Sequence, residues 1–121
     1  MINVKDQVYT SLRIVTENVT DYYPRDWEKD LAIQYMEEEN NVVEFTDMEE
    51  QKAYCRYRID IWAQRSTSEA AVAVDAALSS LGLVRTQCMD VEDPSGRKHK
   101  QMRYEMVIDV KNGMVYHRMY R

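Results

Sequence analysis

Three glycines, two prolines, two cysteines, two histidines and one phenylalanine are all that 121 residues contain of those types. So little glycine and proline excludes collagen-like, linker-rich and low-complexity classes. The glycines stand apart from one another, so no glycine-rich loop can cradle a phosphate. No apolar run approaches the ~20 residues of a membrane-spanning helix. No leader-like pattern opens the chain, and the expected compartment is a reducing, cytoplasm-like one. There, Cys55 and Cys88 are expected as free thiols. Metal binding would draw on Cys55, Cys88, His99 and His117, which show no ligand spacing. Neither cysteine has a sequence context that marks it as a nucleophile. Catalytic residues, metal and cofactor are therefore all assigned as none, and an enzyme is not expected.

What is present is one domain's length of chain, residues 1–121, with hydrophobic residues at 45% and charged residues at 31%. The net charge of −5 is unevenly spread. Residues 1–50 carry 13 acids against 4 bases (−9), and residues 51–121 carry 8 acids against 12 bases (+4). Such a split suits head-to-tail association of an acidic with a basic surface, or simply two unlike surfaces that follow chain order. Nine tyrosines and eight methionines are the remaining surplus. Both types fill cores, and both are enriched where one protein surface meets another.

Periodicity supplies the elements. Val4, Val8, Leu12, Val15 and Val19 recur at helical spacing, with Tyr9 and Ile14 widening the stripe, Asn3 as a cap and Asp6 in the first turn. Residues 20–30 read as a loop that Tyr22, Tyr23 and Trp27 pack down. Residues 31–47 read as a hairpin turning at "EENN". A long strand over 53–63, ~35 Å at ~3.3 Å per residue, puts Cys55, Tyr57, Ile59 and Ile61 on one face. Tyr54, Arg56, Arg58, Asp60 and Trp62 take the other face.

A capping box, Ser66 with Glu69, opens a helix that runs to Leu81 and stops at Gly82. Its stripe of Ala71, Val74, Leu78 and Leu81 is expected to meet the long strand. Val72 and Ala76 flank that stripe and Asp75 faces water. Strands follow over 83–92 and "KQMRYEMVIDV", then an Asn112-Gly113 hairpin and a last strand, "MVYHRM". The expectation is an α+β fold in the order helix–strands–helix–strands, its antiparallel or mixed β-sheet carrying two α-helices on one face.

Three surface groups stand out. The charged and aromatic strand face of Arg56, Arg58, Asp60 and Trp62 is a candidate subunit interface. Glu37, Glu38 and Glu39 form a candidate acidic loop. Arg97, Lys98 and Lys100 form a candidate basic hairpin tip, suited to loose contact with DNA phosphates or with acid on a partner. The acidic balance and the lack of aromatic residues among these bases argue against sequence-specific nucleic-acid binding. The closing "MYR" fits a tail or a contact arm.

From "YRIDIW" through the alanine-rich helix to "DPSG" and "KQMRYE", the sequence resembles the tail completion or tail terminator proteins of long non-contractile-tailed bacteriophages and prophages of Gram-positive bacteria. The opening "VKDQVYTSLRIVTENVTDYYPRDW" and the closing "VKNGMVYHR" extend the resemblance over nearly the whole chain. It implies a homo-oligomeric ring, commonly of six subunits, that caps the tail tube, ends its polymerisation and joins tail to head. The acidic loop of Glu37, Glu38 and Glu39 would face the channel of that ring. It also implies partners: further copies, the major tail-tube protein, a head–tail connector or stopper protein, and DNA in passage, with no membrane. The implied location is the head-proximal end of the virion tail, and the host cytoplasm during assembly. The alternative is a monomeric phage-encoded binding or adaptor module without catalysis.

Overall fold

The computed structural model describes residues 1–116. The expected strand residues 117–119, with His117, and the "MYR" tail lie outside the described residues. Among the described residues, two helices and six strands form one α+β domain. They are α1 (Lys5–Leu12), β1 (Val19–Thr20), β2 (Ala32–Thr46), β3 (Glu49–Ala63), α2 (Ser68–Ser79), β4 (Val84–Val91), β5 (Lys98–Asp109) and β6 (Val115–Tyr116). The sheet is mixed, in the order β1-β2-β3-β5-β4, with β6 pairing β5. Only β1 against β2 is parallel among the paired strands. The unit β3–α2–β4 is a split β-α-β, because β5 lies between two strands that run the same way.

The period-two pattern of β3 builds the core. Cys55, Tyr57, Ile59 and Ile61 are fully buried and meet Met106, Tyr104 and Met102 of β5 in the same cluster. Val8 and Leu12 of α1 and Ala71, Val74 and Leu78 of α2 close over that face. Both helices thus lie on one side of the sheet, and small side chains on α2 let it approach closely.

Helix α1 is shorter than its apolar stripe. Leu12 is its last residue, the chain tightens through Val15 N–H to Leu12 C=O (2.9 Å), and Val19 joins β1 opposite Ile33. β-Branched Ile14, Val15 and Thr16 favour leaving the helix, and Ile14 is exposed rather than part of the stripe. Asn3 does not cap; its amide donates to Asp6 (2.9 Å). The Ser66–Glu69 box does not form either. Thr67 occupies the cap position, and the Ser66 hydroxyl accepts from Ser68 N–H (3.2 Å) in a local turn.

At its other end α2 closes in a Schellman turn. Gly82 N–H donates to Ser79 C=O (2.9 Å) and Leu83 N–H to Leu78 C=O (3.3 Å). Gly82 has φ +91°, and a Cβ there would stand 2.8 Å from a Val115 methyl. Asp75 does not face water freely: it accepts from the Tyr104 hydroxyl (2.8 Å) and pairs with Arg85 (3.3 Å). Val72 is outward and exposed.

The largest correction concerns residues 31–47. They do not turn at "EENN"; β2 continues through it, and the chain reverses at Asp47-Met48. Both turn residues have positive φ, 54° and 63°, as the turns that match strand twist require. The acidic run stays in a strand because the opposite strand neutralises it, a pairing that local propensity cannot register.

Candidate subunit-contact site

The face of the sheet away from the helices carries a connected polar network. The β3–β5 register sets Arg58 opposite Arg103, Asp60 opposite Gln101 and Trp62 opposite His99. Glu38, at a bulge of β2, is the hub. It accepts from Arg56 Nε (3.1 Å) and from Arg103 Nε and Nη2 (3.0 and 3.3 Å), and Arg58 lies 3.8 Å away. Burial works to raise the Glu38 pKa, but the hydrogen bond and charge of Arg103, and then Arg56, outweigh it and hold the carboxyl below its ordinary value.

Asp60 extends the network. It receives Arg58 Nε (2.9 Å), meets His99 Nε2 (2.8 Å) and accepts from Gln101 (3.2 Å). The His99 ring stacks on Trp62 at 4.4 Å, and the Trp62 indole N–H donates to Asp93 (3.1 Å). Tyr23 and Trp27 pack against Trp62 at 5.6 and 5.9 Å and pin the 20–30 loop as expected, whereas Tyr22 is exposed and takes no part. Among the described residues no hydroxyl or thiol hydrogen-bonds His99. None of their His, Cys, Asp and Glu side chains form a group suited to a metal ion.

This arrangement divides the proposed interface. Asp60 and Trp62 are each 3% exposed, covered by the chain itself, so they cannot present a contact surface. Asp60 is buried because His99, Gln101 and Arg58 surround it, and Trp62 because the 20–30 loop folds over it. Arg56 and Arg58 keep 35% and 24% of their side chains exposed and remain available to a neighbour.

Glu37, Glu38 and Glu39 are not a loop. Glu37 accepts from the buried Tyr57 hydroxyl (2.6 Å), Glu38 is the hub, and Glu39 pairs with Arg56 (2.8 Å). Two of the three are thus paired with arginines, and all three lie within β2. The basic tip is likewise redistributed. Strand β5 begins at Lys98, Lys100 pairs with Asp90 (3.1 Å), and Arg97 folds back over Trp27. Arg97 Nη2 donates to Trp27 C=O (3.1 Å), while its Nη1 is buried without an acceptor. Lys98 alone of the three is exposed.

Sequence reasoning missed the most exposed apolar feature. The last rung shared by β3 and β5 is Lys52–Asp109. Beyond it β2 and β3 continue as a short two-stranded arm carrying Phe45 and Met48, 60% and 87% exposed, and Val42 and Val43 just behind it are exposed as well. The signal was "NNVVEFTDM" itself, apolar residues on both strand faces, hidden by placing the turn eight residues too early.

No family profile matches this sequence, and no curated protein matches it.

Proposed function

We propose that this chain is a structural virion protein of a long-tailed phage. Copies form a ring, six by the resemblance, that caps the tail tube, ends its polymerisation and joins tail to head. Besides the resemblance, one observation carries the reading: the β2–β3 arm and the strand just behind it present Phe45, Met48, Val42 and Val43 to solvent, with no other described element over them. Exposed apolar groups on a projecting hairpin are expected where an assembly covers them. A ring requires two unlike patches on each subunit, and the arm and the Arg56–Arg58 face are unlike in charge and shape. The partners are then further copies, the tail-tube protein, the connector or stopper protein of the head, and DNA passing through.

Deletion of the gene from a phage that carries it tests the reading by electron microscopy. Tails of uncontrolled length, detached from heads, are the expected outcome. Tails of normal length joined to filled heads would overturn it.

A further inference from the structure

The arm and a cleft occupy opposite ends of the sheet. Strand β3 leads from the arm at Glu49 to Ala63, fifteen residues or about 50 Å of strand. Just past Ala63 lies a cleft of about 610 Å³, between residues 65–68 ahead of α2 and the β4–β5 turn. Arg65, Arg97 and Lys98 line it. Two of its acids are already engaged, Asp90 by Lys100 and Asp93 by Trp62, so Glu92 is the one acid among its described lining residues without a partner.

The arm is the complement. Residues 41–50 hold Glu44, Asp47, Glu49 and Glu50 and no base. Lys52 pairs with Glu44, Lys111 with Glu49, and the Met1 amino group with Glu50. Asp47, at the extreme tip, has no partner among the described residues. The cleft, for its part, exposes Arg65 and Lys98. Beside it, Arg97 lies over Trp27, which packs on the exposed Tyr23 ring at 5.6 Å. A carboxylate with flanking apolar groups therefore matches the exposed bases of the cleft and the aromatic rings beside it.

We propose that the Asp47 tip of one copy docks into the Arg65–Arg97–Lys98 cleft of the next. This rests on the ring reading above, since the occupant is a second copy of the chain. Contacts between opposite ends of identical subunits are heterologous, and they generate a closed ring when the rotation per subunit divides a full turn. Asp47 meets the exposed Arg65 and Lys98, and Phe45 and Met48 lose water against the rings beside the cleft.

Disulfide trapping tests this with full chains in a Cys88→Ser background, where only buried Cys55 remains. One batch carries Asp47→Cys and a differently tagged batch carries Lys98→Cys, both at exposed positions. They are mixed under mild oxidation with and without tail-tube protein. The expected product is a 47–98 disulfide between differently tagged chains, in excess over 47–47 and 98–98 species. Asp47→Asn, which tolerates the left-handed turn, and Lys98→Glu are each expected to weaken assembly by about tenfold or more in sedimentation. If copies assemble yet give no 47–98 disulfide and both variants assemble as well as the parent, the docking is overturned while the ring stands. A disulfide from position 47 to the tube protein alone would also overturn it. If no copies associate under any condition, the ring reading falls and the docking with it.

Discussion

Replacing Glu38 with Gln keeps the shape of the hub and removes its charge. Three hydrogen bonds reach that carboxylate, one from Arg56 and two from Arg103. Each charge-assisted bond exceeds a neutral one by about 1 kcal/mol. Exposure of about a third on the arginines, 35% for Arg56 and 27% for Arg103, calls for a discount of roughly one half for solvent screening. Other partners also persist: Arg56 keeps Glu39, Arg58 keeps Asp60, and Arg103 keeps Gln87 and Gln101. The expected loss is therefore ~1.5 kcal/mol, read as a lower urea midpoint at unchanged slope. The pH dependence adds a second check. The folded-state carboxyl lies below its ordinary 4.5, so its contribution is complete above pH 4.5 and fades as the pH falls through the depressed value. Parent and Glu38→Gln are thus expected to converge in acid and to stay separated by a constant interval above pH 5. A variant within ~0.3 kcal/mol of the parent at pH 7, or an interval that does not shrink in acid, would refute the hub.

Leu78→Ala, at the centre of the α2 contact and fully buried, is expected to cost 2–5 kcal/mol (roughly, by cavity formation) in urea unfolding. Gly82→Ala combines a left-handed φ with a methyl placed 2.8 Å from Val115. A loss of about 1–3 kcal/mol is expected, and a neutral result in thermal unfolding would contradict the Schellman turn against β6. Thiol labelling at pH 8 is expected to modify Cys88 promptly and Cys55 only on unfolding, because burial, then the Glu37 charge, pushes the Cys55 thiol up to about 11. Tyr57→Phe removes the donor to Glu37 and is expected to cost about 1 kcal/mol, with intact secondary structure by circular dichroism.

Much of this molecule was legible in its sequence. Alternation in 53–63 put Cys55, Tyr57, Ile59 and Ile61 on one face, and all four are buried in the core. Periodicity is local, and a face that is apolar every second residue must be covered by something. Gly82 likewise ended a helix where only a residue at ease with positive φ fits the reversal. The α+β order and both helices on one side follow from those same patterns.

What the sequence left undecided depended on residues far apart in the chain. "EENN" looks like a turn until Arg56, Arg58 and Arg103, between 18 and 65 residues away, are brought opposite the glutamates. Asp60 and Trp62 look like surface on an alternating strand until His99 and the 20–30 loop fold over them. Shifting the reversal to Asp47-Met48 then lengthens both strands and creates the projecting arm. Local pattern determined which residues had to leave water. The pairing of charges across strands, which only the assembled sheet brings into range, decided which polar residues went with them and which apolar ones stayed out.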